Sequence, residues 1–420
     1  MSFYIKSLFI AVPIFITLIL LEEIIARRKG IVVNRAADVI SSLSSGSTNT
    51  IRDVLGIGIS IISYSWLVKH ITLFKLEPLW LAVFIAFLVE DFSGYWIHRL
   101  NHRVNILWNR HIIHHSSEDF NLSCALRQSI SDTLRFGAIF MIPGALLGIP
   151  TSIFAILGPI HLFLQFWYHT QVIDKMGVLE YILVTPSHHR VHHAINPEYI
   201  DKNYSQIFII WDKLFGTFQP ELNAVKPVYG TLKQMGTWNP VIINFKHMWN
   251  IATDAWRTER LMDKLRIWFM PTGWRPEDVK ETFPLMTITD PNNQKKYSTQ
   301  NSSALVAWSW IQLALTNAFM FHFFYILSDF SSTMTFLYAG MIIIHIFSYT
   351  STLDQKYYAL TAEMLKISVG LTLFYLQQFS WFGLNDVLSS GIAFYFIASF
   401  LITVYFRNDL ARQSPSLKSA

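Results

Sequence analysis

Eleven of the 15 histidines in the chain fall between His98 and His193, and only four lie elsewhere. They come in boxes: His98 and His102 form HxxxH, His111, His114 and His115 form HxxHH, and His188, His189, His192 and His193 form HHxxHH. Imidazole binds iron, copper, zinc and nickel, and helical spacing gives the boxes a geometry. Side chains three or four residues apart share a helix face, with Cβ atoms about 5 to 6 Å apart. His98 with His102, or His189 with His193, can therefore converge on one ion. Adjacent histidines such as His114 and His115 point about 100° apart, which lets one member of each pair reach a second ion. Two metals close together are the expectation.

Counting ligands narrows the choice. The boxes offer nine imidazoles, and His169 makes ten. Two tetrahedral zinc ions take at most about eight ligands, whereas two octahedral ions have about twelve positions and leave room for oxygen and a bridging water. A membrane metalloprotease is disfavoured, because Ile112 and Arg190 stand where HExxH needs a glutamate base. Asp91, seven residues before His98 and on nearly the same helical face, is the expected carboxylate behind a ligand. Glu90, Glu118 and Asp119 are further candidates for that role, and His70, His161, His247, His322 and His345, taken singly, read as packing residues.

Redox chemistry here cannot use cysteine. The lone Cys124 excludes an internal disulfide framework, a CxxC pair and a cysteine-ligated iron-sulfur cluster. A GxGxxG fingerprint is also missing, and Gly56 and Gly58 sit in an apolar run that suits helix packing. Electrons must come from outside the chain, from a cytochrome, ferredoxin, flavoprotein or reduced pterin.

The elements that position these histidines belong to a membrane. Charged residues make up 15% of the 420 residues, against roughly 25% in soluble globular proteins, while 52% are hydrophobic. The fold class expected is all-α, a multi-pass protein of about nine transmembrane or re-entrant helices. Apolar runs at 304–327, 333–349, 358–381 and 388–406 supply four. The third carries Glu363 and Lys366 one turn apart, a pair able to neutralise itself near an interface. Shorter runs at 7–21, 54–68, 79–96, 136–149 and 152–168 supply the others, and the last two, flanking Pro143 and Pro150, suit a re-entrant hairpin as well. The first run ends in Glu22, Glu23, Arg27, Arg28 and Lys29 without a small-residue cleavage site, so no cleaved signal peptide is expected.

The net charge of +5 belongs to basic residues beside apolar runs, which points to a bilayer and away from nucleic acid. If Arg27, Arg28, Lys29, Arg35 and Arg52 are cytoplasmic, alternation puts Arg99, Arg103, Arg110, residues 169–303 and the tail with Arg407, Arg412 and Lys418 on that side. The dimetal site then faces the cytosol, from a bacterial inner membrane or the endoplasmic reticulum. Expected regions are an N-terminal membrane region at 1–78, a catalytic core at 79–221, a cytoplasmic or interfacial segment at 222–303 and a four-helix membrane region at 304–420. Residues 256–270 mix arginine and lysine with Leu261, Leu265, Ile267, Trp268 and Phe269, which fits either a helix in the headgroup layer or one packed on the cytoplasmic segment.

The boxes and their flanks, from Glu90 to Glu221, resemble the fatty acid hydroxylase superfamily of membrane di-iron enzymes, also called the sterol desaturase family. DFSGYWIHRLNH, HHSSEDFNLSCALRQS, QFWYHT, TPSHHRVHH and DKNYSQIFIIWDKLFGTF are similar to its subgroup that cleaves ether lipids. The resemblance implies that His98, His102, His111, His114, His115, His189, His192 and His193 bind two irons, with His169 and His188 as additions. It also implies O2 as co-substrate and tetrahydrobiopterin as one candidate reductant. Arg103 departs from it, standing where the animal members carry an acid directly after HxxxH, which weighs against the pterin. Trp211, Asp212 and 215–218 match the segment after the last box, expected to pack beneath the site.

The expected reaction inserts oxygen into a lipid C–H bond. A carbon beside an ether oxygen would give a hemiacetal that falls apart to an aldehyde and a glycerol derivative. Hydroxylation or desaturation of a sterol, fatty acid, sphingolipid or carotenoid is the alternative on the same site. A metal transporter or non-catalytic metal-binding membrane protein is the alternative from another class.

Overall fold

The computed structural model describes residues 3–413, so Lys418 lies outside the described residues. In chain order, α1 (Phe3–Arg28), α2 (Ala36–Val54), α3 (Tyr64–Ile71), α4 (Leu79–Arg103) and α5 (Asn105–His115) lead into the shorter α6 (Leu122–Ala125), α7 (Ile142–Leu146) and α8 (Thr151–Phe163). The histidine-rich α9 (Pro186–His193) and α10 (Ile210–Leu214) precede α11 (Pro240–Arg257), α12 (Leu261–Arg266) and α13 (Glu277–Thr282). Four long helices follow: α14 (Ser303–Ile326), α15 (Ser332–Leu353), α16 (Ala359–Leu376) and α17 (Asp386–Gln413). Among the described residues the only sheet is a parallel pair of two-residue strands, β1 (Ile59–Ser60) and β2 (Leu134–Arg135).

Six helices among the described residues are long and apolar enough to cross a membrane, namely α1, α4 and α14 to α17, and the protein is an integral membrane protein. The nine expected runs therefore reduce to six full-length candidates. The run at 54–68 breaks where α2 ends: Gly56 turns the chain at φ 66° and β1 follows, leaving α3 with 8 residues. The run at 136–149 becomes a 3-10 turn and the 5-residue α7, and the run at 152–168 becomes the 13-residue α8. Thirteen residues reach about 20 Å at 1.5 Å each, short of the roughly 30 Å hydrocarbon core. The three short pieces pack instead on the apolar half of α4, where Tyr64, Leu67, Ala145, Ile149, Phe154 and Leu157 meet Ala82, Ala86 and Val89.

The other half of α4 is polar and buried, holding Asp91, Tyr95, His98, Asn101 and His102. Val104 adopts an extended backbone that stops α4, and α5 starts at the next residue. This one-residue joint is pinned from outside by Asn105 N–H on the Met270 carbonyl (2.9 Å) and Ile106 N–H on the Trp268 carbonyl (2.9 Å). α2 packs on α6, and its Ser41, Ser42, Ser44, Ser45 and Ser47 are buried. Gly46 permits the approach: a Cβ there would stand 2.8 Å from the Leu126 carbonyl oxygen.

The last four helices form their own core around Phe319, Phe323, Tyr338 and Trp381, which Ile5, Ile40 and Ile51 join. Glu363 and Lys366 do pair, at 2.6 Å, inside this bundle, with side chains 1% and 0% exposed. Their other partners are Ser348 on Glu363, and Ser399, whose hydroxyl accepts from Lys366 at 2.7 Å. Residues 256–270 bury Ile267 but leave Trp256 85% and Phe269 74% exposed, along with Leu261, Met262 and Leu265. That apolar face, flanked by basic side chains, suits the headgroup layer.

Candidate metal centre

Three helices and one turn converge on the buried centre. His98 and His102 come from α4, His111, His114 and His115 from α5, and His189, His192 and His193 from α9. His169 follows the turn after α8, its N–H on the Phe166 carbonyl. α9 starts with Pro186 in its first turn, where the missing N–H costs nothing.

The rings sort into two groups. His98, His102, His111, His115 and His192 form one, His114, His169, His189 and His193 the other, and one ring nitrogen from each member lies within 4.8 Å of the rest of its group. The adjacent pairs split: His114 and His115 serve different groups, as do His192 and His193. The groups touch where the His115 and His193 rings stack at 4.3 Å.

Tautomers follow from what the other nitrogens meet. His98 Nδ1 faces the Tyr204 carbonyl at 2.7 Å, His192 Nδ1 that of Lys202 at 3.0 Å, His169 Nδ1 that of Gln165 at 2.9 Å and His114 Nδ1 that of Arg127 at 3.3 Å. A carbonyl only accepts, so each Nδ1 donates and each neutral Nε2 carries a lone pair. Two of these lone pairs crowd: His169 Nε2 lies 3.2 Å from His114 Nε2. Protonation does not relieve the crowding, because burial, reinforced by neighbouring rings, pushes His114 down to about 3 and His169 and His189 well below the ordinary imidazole value. His102 Nε2 and His192 Nε2 are buried without any partner. A cation in each group would take up these lone pairs, and imidazoles held by carbonyls are how metal ligands are oriented.

Five imidazoles exceed a zinc tetrahedron of about four ligands. The four imidazoles of the second group match that number.

Supports for the carbonyls come from outside the histidine boxes. Asp212 accepts from the backbone N–H groups of Tyr204 and Ser205, both at 2.8 Å, fixing the carbonyl that His98 uses. Arg127, 1% exposed, donates to Asp38 Oδ1 at 2.9 Å and to the hydroxyls of Ser42 and Ser116. Sequence spacing did not single out Asp38 or Arg127.

Other candidates lie elsewhere. His188 belongs to neither group, and its ring packs on Phe218 at 5.5 Å. Asp91 does not touch a ligand ring; it accepts from His161 Nε2 (2.9 Å), Ile207 N–H (2.9 Å), Phe208 N–H (3.1 Å) and Trp211 Nε1 (2.8 Å), so it anchors the 204–211 segment to α4. His161 is thus buried and satisfied, as a packing residue would be. Glu118 accepts from Gln234 and the Tyr297 N–H, and Asp119 pairs with Arg35 and Lys296, tying the linker before α14 to this core. Glu90 stands over Gly158 of α8. Arg103 pairs with Asp201 at 2.9 Å, and the other oxygen of Asp201 lies 3.8 Å from His102 Nδ1.

A cavity of about 590 Å³ opens beside the first group, reaching His102, His115, His192 and His193, with Trp108 and Ile251 among its apolar walls. Its size is ordinary for a site that takes a small organic molecule or part of a lipid.

Comparison with known proteins agrees with this geometry. The sequence pattern of the fatty acid hydroxylase family matches residues 83–217. The chain is 38% identical over 378 residues to human alkylglycerol monooxygenase, covering 88% of this chain and 82% of that protein. The alkylglycerol monooxygenase of Caenorhabditis elegans is 30% identical over 358 residues, covering 80% and 70%. The ornithine lipid hydroxylase OlsE of Rhizobium tropici is 34% identical over 141 residues, 34% of this chain and 43% of its own. No solved structure matches the chain. Both the histidine core and the length of the match show that the chain belongs to the fatty acid hydroxylase family, beside its members named alkylglycerol monooxygenase.

Proposed function

We propose that this membrane oxidoreductase inserts one oxygen atom from O2 into a lipid C–H bond, and that its substrate is an alkylglycerol whose ether bond is thereby broken. The observation that carries the reading is the pair of imidazole groups with carbonyl-held Nδ1 atoms, adjoining a cavity open to a ligand. Two irons bound there would supply O2 activation and C–H oxidation.

The chain's own residues orient the rings and shape the cavity. Apolar walls such as Trp108, Ile112 and Ile251 exclude water from the histidine end. A C–H bond becomes C–OH at the carbon beside the ether oxygen, and two electrons and two protons carry the second oxygen atom away as water. The hydroxyl proton then passes to the ether oxygen as its C–O bond breaks, leaving an aldehyde and a glycerol derivative. The electrons come from a separate donor. An active site on the cytosolic face, with α12 lying in the headgroup layer, gives a soluble donor and a lipid chain access to the same centre. His188 and Asp91 take no part in binding metal on this reading.

The test is anaerobic purification with metal quantification, then O2 and a lipid mixture under mass spectrometry. About two irons per chain and release of fatty aldehyde support the proposal. An intact hydroxylated or desaturated lipid would move the substrate to another class, and metal flux without O2 consumption would make the protein a transporter.

A further inference from the structure

The cavity also has charged lining residues that the oxidation chemistry does not use. Its charged lining is Asp201, Lys233, Asp254, Arg275 and Lys280. Four of these are paired: Arg275 with Asp254 at 2.6 Å, Lys280 with Glu277 at 2.9 Å and Asp201 with Arg103 at 2.9 Å. Among the described residues the Lys233 ammonium makes no hydrogen bond or ion pair, and the side chain of Asn250, which also lines the cavity, makes none either. The segment that carries Lys233 is nonetheless held, by the Thr231 hydroxyl on the Lys233 carbonyl (2.8 Å) and by the Ile288 N–H on the Leu232 carbonyl (2.9 Å).

A half-buried cation in a mainly apolar cavity has lost part of its hydration without gaining a direct ion pair. Burial accordingly lowers its pKa, with Arg275 adding to the effect and Asp254 opposing it. An anion brought by the ligand would restore what burial removes, through a charge-assisted hydrogen bond. Histidines and Lys233 line one cavity, so with the carbon to be oxidised beside the histidines, the glycerol on the far side of the ether oxygen extends into the same space.

We infer that Lys233 receives the phosphate of a phosphorylated alkylglycerol, so that the enzyme prefers an anionic ether lipid to its neutral counterpart. This inference rests on the ether-lipid reading of the metal centre. Lys233 selects the head group, and Asn250 is placed to donate to the same phosphate or the adjacent glycerol hydroxyl.

The test uses the full chain in nanodiscs of phosphatidylcholine. Equilibrium binding is measured for a hexadecyl ether of glycerol and for its phosphate monoester, with wild type, Lys233→Met and Lys233→Arg. The phosphate ester should bind about tenfold more tightly in wild type, the effect of one hydrogen bond to a charged group. Lys233→Met should bring the ratio near one, and Lys233→Arg should keep most of it. Equal binding of the two lipids to wild type, or a preference that survives Lys233→Met, overturns the inference. Inorganic phosphate binding as tightly as the ester would also overturn it, marking a site for a free anion. Aldehyde release from the neutral ether is assayed in parallel. Aldehyde without any phosphate preference leaves the ether-lipid reading standing and removes this one. A lysine-dependent preference with no oxidation of either lipid does the reverse.

Discussion

His114 and His169 face each other through Nε2 atoms 3.2 Å apart, and each commits its Nδ1 to a carbonyl, of Arg127 and Gln165. Two neutral rings so fixed present lone pair to lone pair, which is repulsive until a cation stands between them. The centre is therefore built for metal before any metal binds, and the chain bears the repulsion through the hydrogen bonds behind each ring.

Replacing His169 with alanine should empty one group and spare the other. Metal content is expected to fall from about two to about one ion per chain, with O2-dependent turnover lost. The first group, His98, His102, His111, His115 and His192, contains no residue from that turn. Metal quantification on the purified variant checks this, and a variant that retains both ions would remove His169 from the ligand set.

Stripping the metal should loosen the whole protein, because an ion that binds only the folded chain stabilises it by mass action, by about 4 kcal/mol at a thousandfold excess over Kd. A chelated anaerobic sample should melt several degrees below the loaded one by the scale of such effects. An unchanged melting temperature would mean that the imidazole groups tolerate their own crowding, against the argument from tautomers.

Asp212 supports the site without touching metal. It holds the Tyr204 and Ser205 N–H groups and accepts from the Thr217 hydroxyl at 2.7 Å. Asp212→Asn places an NH2 against one of these donors, and the Tyr204 carbonyl behind His98 should shift. Metal affinity should drop by about 10 to 100-fold, the usual cost of losing an outer partner. The readout is a metal titration, compared with Asp212→Glu. Affinity unchanged by Asp212→Asn would show that His98 is oriented by something else.

Much of this centre is legible in the sequence because a helix converts spacing into direction. Taking His188 as zero, His192 lies at about 40°, His189 at about 100° and His193 at about 140° around the helix. Those three cover one arc that faces the two imidazole groups, and His188 falls at its edge against Phe218. What spacing does not give is the element opposite. Asp91 is on the expected face of α4, but His161 of α8 and the 207–211 backbone meet it there, and no ligand ring does. The Asp38–Arg127 support joins residues 89 apart in sequence, with no local pattern to mark it. Hydropathy likewise reports the length of an apolar run and not its breaks, which is why 54–68 looked like a span although Gly56 turns the chain within it.

That hidden support should be costly to break. Arg127 and Asp38 are both buried, paired at 2.9 Å, and Arg127 carries the carbonyl used by His114. Asp38→Ala would leave a buried guanidinium uncompensated, at about 3 to 5 kcal/mol. The variant should unfold at lower denaturant and lose metal from the second group before the first. Wild-type stability in Asp38→Ala would show that the serine hydroxyls alone satisfy Arg127.

The ion pair within the C-terminal bundle makes a parallel case, away from the metals. Glu363 and Lys366 lie one turn apart on α16 at 2.6 Å and are fully enclosed. Lys366 also donates to Ser399 of α17, and the hydroxyl of Ser348 on α15 donates to Glu363, so the pair stitches three helices together. Removing one charge strands the other where lipid and protein offer no water, so Lys366→Met and Glu363→Gln should each destabilise the chain by about 3 to 5 kcal/mol. The double variant should lose less than the two single losses combined, since neither charge is then left alone. Thermal unfolding of the four proteins in one detergent completes the cycle. Additive losses would mean that the two side chains act separately, with Ser399 and Ser348 as their effective partners.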